Sequence, residues 1–92
     1  MTIEVQIISA PWCKRCGTIK PEVARYCALN GAVLTVVDYE EGLEENEKAA
    51  VKSLPTIRMK RVSEVAWSIY TADTLDAWKT DIVKLAPADQ DF

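Results

Sequence analysis

The sequence predicts an α/β fold: one domain with a four-stranded mixed sheet, helices on both faces, and the element order β-α-β-α-β-β-α. Three observations predict it. Short β-branched or alternating apolar runs recur at residues 3–8, 32–37, 57–62 and 65–70 and read as strands. Helical three- and four-residue spacing occupies the stretch from Cys13 to Cys27 and the stretch from Leu75 to Leu85. The length, 92 residues, suffices for one hydrophobic core and not for two.

Each element has a local cause. Residues 3–8 alternate and then turn fully apolar, as a strand entering a sheet does, and Ala10-Pro11-Trp12 breaks the pattern. From Cys13 a helix is expected, with Cys16, Ile19, Val23 and Cys27 on one buried stripe. Pro21 lacks an N–H and is expected to kink that helix, and Asn30-Gly31 to end it. Residues 32–37 are β-branched and largely apolar, which predicts a strand covered on both faces. An acidic loop, 38–46, leads into a short helix over 45–52, and Leu54-Pro55-Thr56 precedes the third strand, 57–62. Val65, Trp67 and Ile69 alternate with Ala66, Ser68 and Tyr70, predicting a fourth strand hairpinned to the third near Ser63-Glu64. Asp73 is the expected N-cap of a last helix that buries Leu75, Trp78, Ile82 and Leu85. The domain takes the whole chain, 1–92, with 86–92 as a loose acidic tail. The first two strands are expected to be parallel through a right-handed crossover, the last two antiparallel.

Composition narrows the function. A net charge of −3 argues against nucleic acid as a partner, because phosphate binding needs a basic surface. No apolar run approaches the length of a membrane span, and no signal-peptide pattern opens the chain; a cytoplasmic monomer is expected. With no histidine, any general base must be a carboxylate, an amine or water. Three cysteines in a reducing compartment read as a close redox pair, Cys13 and Cys16, plus the bystander Cys27. Cys27 on the buried stripe is read as a small core residue.

The pair Cys13-Lys14-Arg15-Cys16 sits where a strand turns into a helix. The first sulfur lies at the helix N-terminus, where unpaired N–H groups and the dipole favour a thiolate, and the second lies one turn further in, toward the core. Lys14 and Arg15 add positive charge beside Cys13. That inequality suits thiol–disulfide exchange. One unit of pKa depression corresponds to about 30 mV, so a potential around −200 to −250 mV is expected. The competing reading of the pair is half a zinc site, but zinc takes four ligands and only Cys27 remains to offer a third thiolate.

Ala10-Pro11-Trp12-Cys13-x-x-Cys16, Pro21 five residues later and Leu54-Pro55-Thr56 downstream together resemble the thioredoxin superfamily over residues 3–85. The resemblance implies a thioredoxin-like fold and a dithiol–disulfide oxidoreductase that reduces protein or glutathione mixed disulfides. It assigns Cys13 as the nucleophile and Cys16 as the resolving thiol. It gives Pro55 a cis peptide bond facing the disulfide, the Leu54 backbone a pairing with bound peptide or glutathione, and Trp12 a shielding role. Lys14 and Arg15 complete the expected binding surface, with Asp73 toward the glutathione γ-glutamyl end. The compact length is similar to glutaredoxin, and Trp12-Cys13 with Pro21 to thioredoxin; small phage and viral redoxins show this mixture. Where thioredoxin has a buried Asp six residues before its first cysteine this chain has Ile7, and in the second strand Thr35 is the polar exception where thioredoxin has Lys.

The resemblance implies disulfide-containing protein substrates, a role as electron donor to ribonucleotide reductase, and glutathione or a thioredoxin-reductase-type flavoprotein as reductant. The dithiol needs no metal or organic cofactor, with glutathione as a co-substrate at most. The alternative is a redox-inactive binding subunit on the same fold. Arg58 and Lys60 have two readings: a solvated strand face, or an extension of the basic rim of Lys14, Arg15 and Lys20. Trp67 and Trp78 fall at core periodicities and are read as packing residues.

Overall fold

Alternation in the first strand decides how the molecule layers. In the computed structural model, which describes residues 2–85, Ile3, Val5 and Ile7 of β1 (Ile3–Ser9) are fully buried on one face of the sheet. They meet Val23 and Cys27 of α1 (Lys14–Leu29), Ile57 and Met59 of β3 (Thr56–Arg61), and Trp78 and Ile82 of α3 (Leu75–Leu85). β2 (Val33–Asp38) and β4 (Ser68–Thr71) complete a four-stranded sheet of order β2-β1-β3-β4. β1 pairs parallel with β2, in register Val5 with Leu34, and antiparallel with β3, in register Ile7 with Ile57. β3 and β4 are antiparallel. The short α2 (Glu45–Ala50) precedes β3. The mixed sheet and element order are those the sequence predicts; the tail at 86–92 lies outside the described residues.

Helix α1 follows its stripe: Cys16, Val23 and Cys27 are buried and Ile19 packs against the core. It continues through Pro21 and stops at Asn30, whose N–H bonds the Tyr26 and Cys27 carbonyls. Gly31 follows with φ of 68°, a left-handed conformation that costs a glycine little.

Four expectations need correction. β2 is not covered on both faces: it is an edge strand with β1 as its one neighbour, and Val33 and Val36 stay 55% and 54% exposed. Its β-branched composition fits a pleated strand at the edge as well as at the centre. The fourth strand is shorter than 65–70, because only Ser68–Thr71 find partners on β3, and Val65 is 93% exposed. Trp67 leaves the core and lies over the Arg58 and Lys60 side chains, 4.9 and 5.0 Å from their charged ends. The last helix opens not on Asp73 but on a 3₁₀ turn (Ala72–Thr74) with Thr71 in the N-cap position, whose N–H is accepted by the Thr74 hydroxyl at 2.8 Å.

Burial also fixes the state of Cys27. Desolvation disfavours its anion and pushes the thiol from 9.0 up to about 11. The reduced native protein is therefore expected to release two equivalents from a disulfide reagent at neutral pH, as Cys13 attacks and Cys16 displaces the mixed disulfide, while Cys27 reacts only after denaturation. Three fast thiols in the native state would contradict the packing. The sign for stability follows. Above about pH 9 the unfolded chain sheds a proton that folded Cys27 retains until about 11, so stability declines across that window. Tyr70, raised to about 12 by burial and by its hydrogen bond to Asp81, extends the same alkaline loss.

Candidate functional site

A strand that ends beside a helix N-terminus places the cysteine pair. Ser9 ends β1, the Cys13 N–H bonds the Ala10 carbonyl at 3.0 Å, and α1 begins at Lys14. Cys13 is the N-cap, with extended backbone (φ −91°, ψ 106°), and its Sγ accepts the Cys16 N–H at 3.2 Å. The two sulfurs are joined as a disulfide, with Cα atoms 5.4 Å apart. Exposure is unequal: Cys16 is 1% exposed, whereas Cys13 is half-buried and opens onto a cleft. When the bond is reduced, the N–H that points at Cys13 Sγ and the helix dipole both favour negative charge on that sulfur.

The cleft measures about 340 Å³ and is lined by Trp12, Cys13, Tyr39, Val51, Lys52, Ser53 and Leu54. Three segments converge there. The β1–α1 turn brings Trp12 and Cys13. The acidic loop after β2 brings Tyr39, and it is organised by Asp38, whose Oδ1 accepts the N–H groups of Glu40 and Glu41 at 2.8 and 3.0 Å. Gly42 closes the loop by donating its N–H to the Asp38 carbonyl at 2.8 Å; a Cβ there would meet that oxygen at 2.9 Å and Val37 at 2.8 Å. The third segment, 51–54, precedes the cis bond between Leu54 and Pro55. Leu54 reaches the cleft while Pro55 is fully buried, and the Thr56 hydroxyl anchors the turn by donating to the Ser53 carbonyl at 2.6 Å.

Trp12 is 65% exposed, and its indole N–H donates to Glu40 Oε1 at 3.0 Å. Lys14 and Arg15 are exposed on the first turn of α1. Arg15 pairs with Asp73 at 3.6 Å, so two expected binding residues partly neutralise one another outside the cleft. The pair is worth little energetically, its side chains being 60% and 91% exposed. Lys20 lies elsewhere, in a depression with Pro11, Val36 and Asp38.

Arg58 and Lys60 fit neither of their two readings. Both project from the face of β3 opposite the core. The Arg58 guanidinium bonds Glu47 at 3.0 Å and also Gln6, and Lys60 pairs with Glu4 at 3.5 Å. Their side chains are only 12% and 13% exposed beneath Trp67, so they are structural cations. The Arg58 hydrogen bond, before all other causes, holds the Glu47 carboxyl below its usual range. Cys27 sits eleven residues along α1 from Cys16, about 16 Å at 1.5 Å per residue, inside the core. Among the described residues no group of three or more Cys, Asp or Glu is placed to hold a metal ion.

Glu40, Tyr39, Val51, Lys52 and Ser53 are not singled out by sequence spacing, which marks 38–46 only as an acidic loop. The available signal was Asp38 at a strand end with Gly42 four residues later, the mark of an ordered turn.

Residues 4–84 match the family model described as Thioredoxin. No functionally curated protein matches the chain in sequence. Among solved structures it is similar to a thioredoxin of Plasmodium falciparum, with 25% identity and a TM-score of 0.73 over 91% of this chain and 82% of that one. It is also similar to the germline-specific thioredoxin Deadhead of Drosophila melanogaster, with 21% identity and a TM-score of 0.75 over 91% and 81%. Mitochondrial thioredoxin 3 of Saccharomyces cerevisiae aligns at 17% identity and a TM-score of 0.75 over 90% and 78%.

Proposed function

The chain belongs to the thioredoxin family and is a thiol–disulfide oxidoreductase, and from that premise we propose that it reduces protein disulfides with Cys13 as nucleophile and Cys16 as resolving thiol. The supporting observation is the inequality of the two sulfurs: one opens onto a cleft at a helix N-terminus, and its neighbour is 1% exposed within bonding reach.

The Cys13 thiolate attacks one sulfur of the substrate disulfide. A bond forms between Cys13 and that sulfur, and the other substrate sulfur leaves as a thiolate and takes a proton. Cys16 then gives up its proton to solvent or to the departing thiolate and attacks Cys13 Sγ. The second substrate sulfur leaves, and two electrons and two protons have passed to the substrate. The protein ends as the Cys13–Cys16 disulfide. With no histidine in the chain, proton transfer falls to water, to the thiols themselves, or to a carboxylate or amine near the pair.

An external two-electron reductant, one dithiol or two monothiols, must restore the pair. Arg58 and Lys60 are engaged elsewhere and Asp73 is paired to Arg15, so these three expected glutathione contacts are not presented at the cleft. This favours a thioredoxin-reductase-type flavoprotein over glutathione. Ribonucleotide reductase remains the substrate that family analogy suggests, and we assign the protein to the cytoplasm as a monomer. No helix among the described residues is long and apolar enough to cross a membrane.

The test is reduction of insulin disulfides, with recycling by the flavoprotein reductase and NADPH compared against glutathione with its own reductase. Turnover with the flavoprotein and little with glutathione is expected. The opposite ranking would reverse the choice of reductant, and no turnover with any electron source, dithiothreitol included, would overturn the function.

A further inference from the structure

The cleft beside Cys13 is lined, among the described residues, by a lysine and no carboxylate, and this bears on which substrates it takes. Trp12, Tyr39, Val51 and Leu54 give it apolar walls, and Lys52 is the one cation among the described residues that lines it. Lys52 is exposed and enters no ion pair among the described residues, whereas Arg15, Arg58, Lys60, Arg61 and Lys79 are all paired. A second cation lies near the Tyr39 wall, with Lys48 Nζ 5.9 Å from the centre of that ring. Glu40, held on the Trp12 indole, and Glu41, fixed by the Asp38 turn, do not line the cleft.

We propose that Lys52 is a specificity-determining residue, which selects protein substrates carrying a carboxylate within one or two residues of the reacting cysteine. This rests on the oxidoreductase reading above and concerns the same site. A substrate sulfur at Cys13 Sγ sets the chain position. An extended peptide advances about 3.3 Å per residue, so only the immediate neighbours of its cysteine fall inside the cleft. There a carboxylate meets the Lys52 ammonium in a lining that holds no carboxylate among the described residues. Apolar walls limit water and focus the field, which strengthens the discrimination. The same polarity disfavours a lysine directed toward segment 51–54.

The experiment uses the full-length dithiol protein and disulfide-linked dimers of four short peptides. Three carry Glu, Gln or Lys next to the cysteine, and the fourth carries Glu at its far end. Second-order rate constants are measured from peptide thiol release. The near-Glu peptide is expected to react about two- to fivefold faster than the Gln peptide, the range for a single exposed ion pair. Lys52→Gln should bring that ratio close to one, and Lys52→Glu should invert it in favour of the Lys peptide. A near-Glu to Gln ratio that survives Lys52→Gln, or equal rates for near and far Glu, would overturn the assignment by reducing it to general attraction. Wild-type protein that reduces all four peptides at one rate removes only the role of Lys52. Wild-type protein that leaves all four oxidised removes the oxidoreductase function beneath it.

Discussion

Cys13→Ser is expected to lower insulin-disulfide reduction about a hundredfold or more, to the uncatalysed background, because a hydroxyl cannot form the covalent intermediate. Cys16→Ser should fail differently. Its Cys13 still attacks, but nothing adjacent can displace the product, so the mixed disulfide accumulates. On a non-reducing gel this variant should run as a stable adduct with its substrate, released by dithiothreitol, while Cys13→Ser forms none. The distinction rests on the differing exposure of the two sulfurs, one at the cleft and one 1% exposed. Adducts of equal yield from both variants would mean that either sulfur can act first. Wild-type protein that reduces insulin no faster than the background left by Cys13→Ser would leave the redox-inactive binding subunit as the better description.

Trp78→Ala should produce the greatest loss of stability, about 3–5 kcal/mol. Trp78 is fully buried between α1 and the sheet, and its ring lies 6.0 Å from that of Tyr26. Against a typical domain stability of roughly 5–15 kcal/mol, the variant retains a fold that urea at low concentration removes. Trp78→Phe is the informative companion. The buried indole N–H has no hydrogen-bond partner among the described residues, so phenylalanine deletes an unsatisfied donor while retaining much of the ring. Its cost should therefore be well below that of alanine. Equal midpoint shifts for the two variants, or an alanine effect under about 1 kcal/mol, would contradict this placement of Trp78.

The elements that could be read from sequence are those whose cause is local. Alternation in residues 3–8 and the stripe of Cys16, Val23 and Cys27 mark a buried face by spacing alone, and Gly31 marks a helix end by its backbone freedom. What failed depends on neighbours that spacing does not reveal. The apolar run in β2 carries no statement of how many strands flank it, and it proved to be an edge. Trp67 has core-like periodicity, yet its strand begins only at Ser68 and the ring settles on two cations. Arg58 looked solvated until Glu47, eleven residues away, closed over it. The site divides in the same way. Cys13 and Cys16 are one helical turn apart and declare themselves, while the bond from Trp12 to Glu40 spans 28 residues and belongs to the tertiary fold. Lys52 reaches the cleft through the turn before Pro55, and its sequence neighbours give no sign of that.

Everything functional here depends on Cys13 carrying negative charge near neutral pH while Cys16 does not. Iodoacetamide labelling of the fully reduced protein across a pH series, with each cysteine followed by mass spectrometry, addresses this. Cys13 should label first, with a midpoint about one pH unit or more below an ordinary thiol, and Cys16 and Cys27 should lag at every pH below it. A Cys13 midpoint at or above that of a free cysteine, or faster labelling of Cys16, would contradict it.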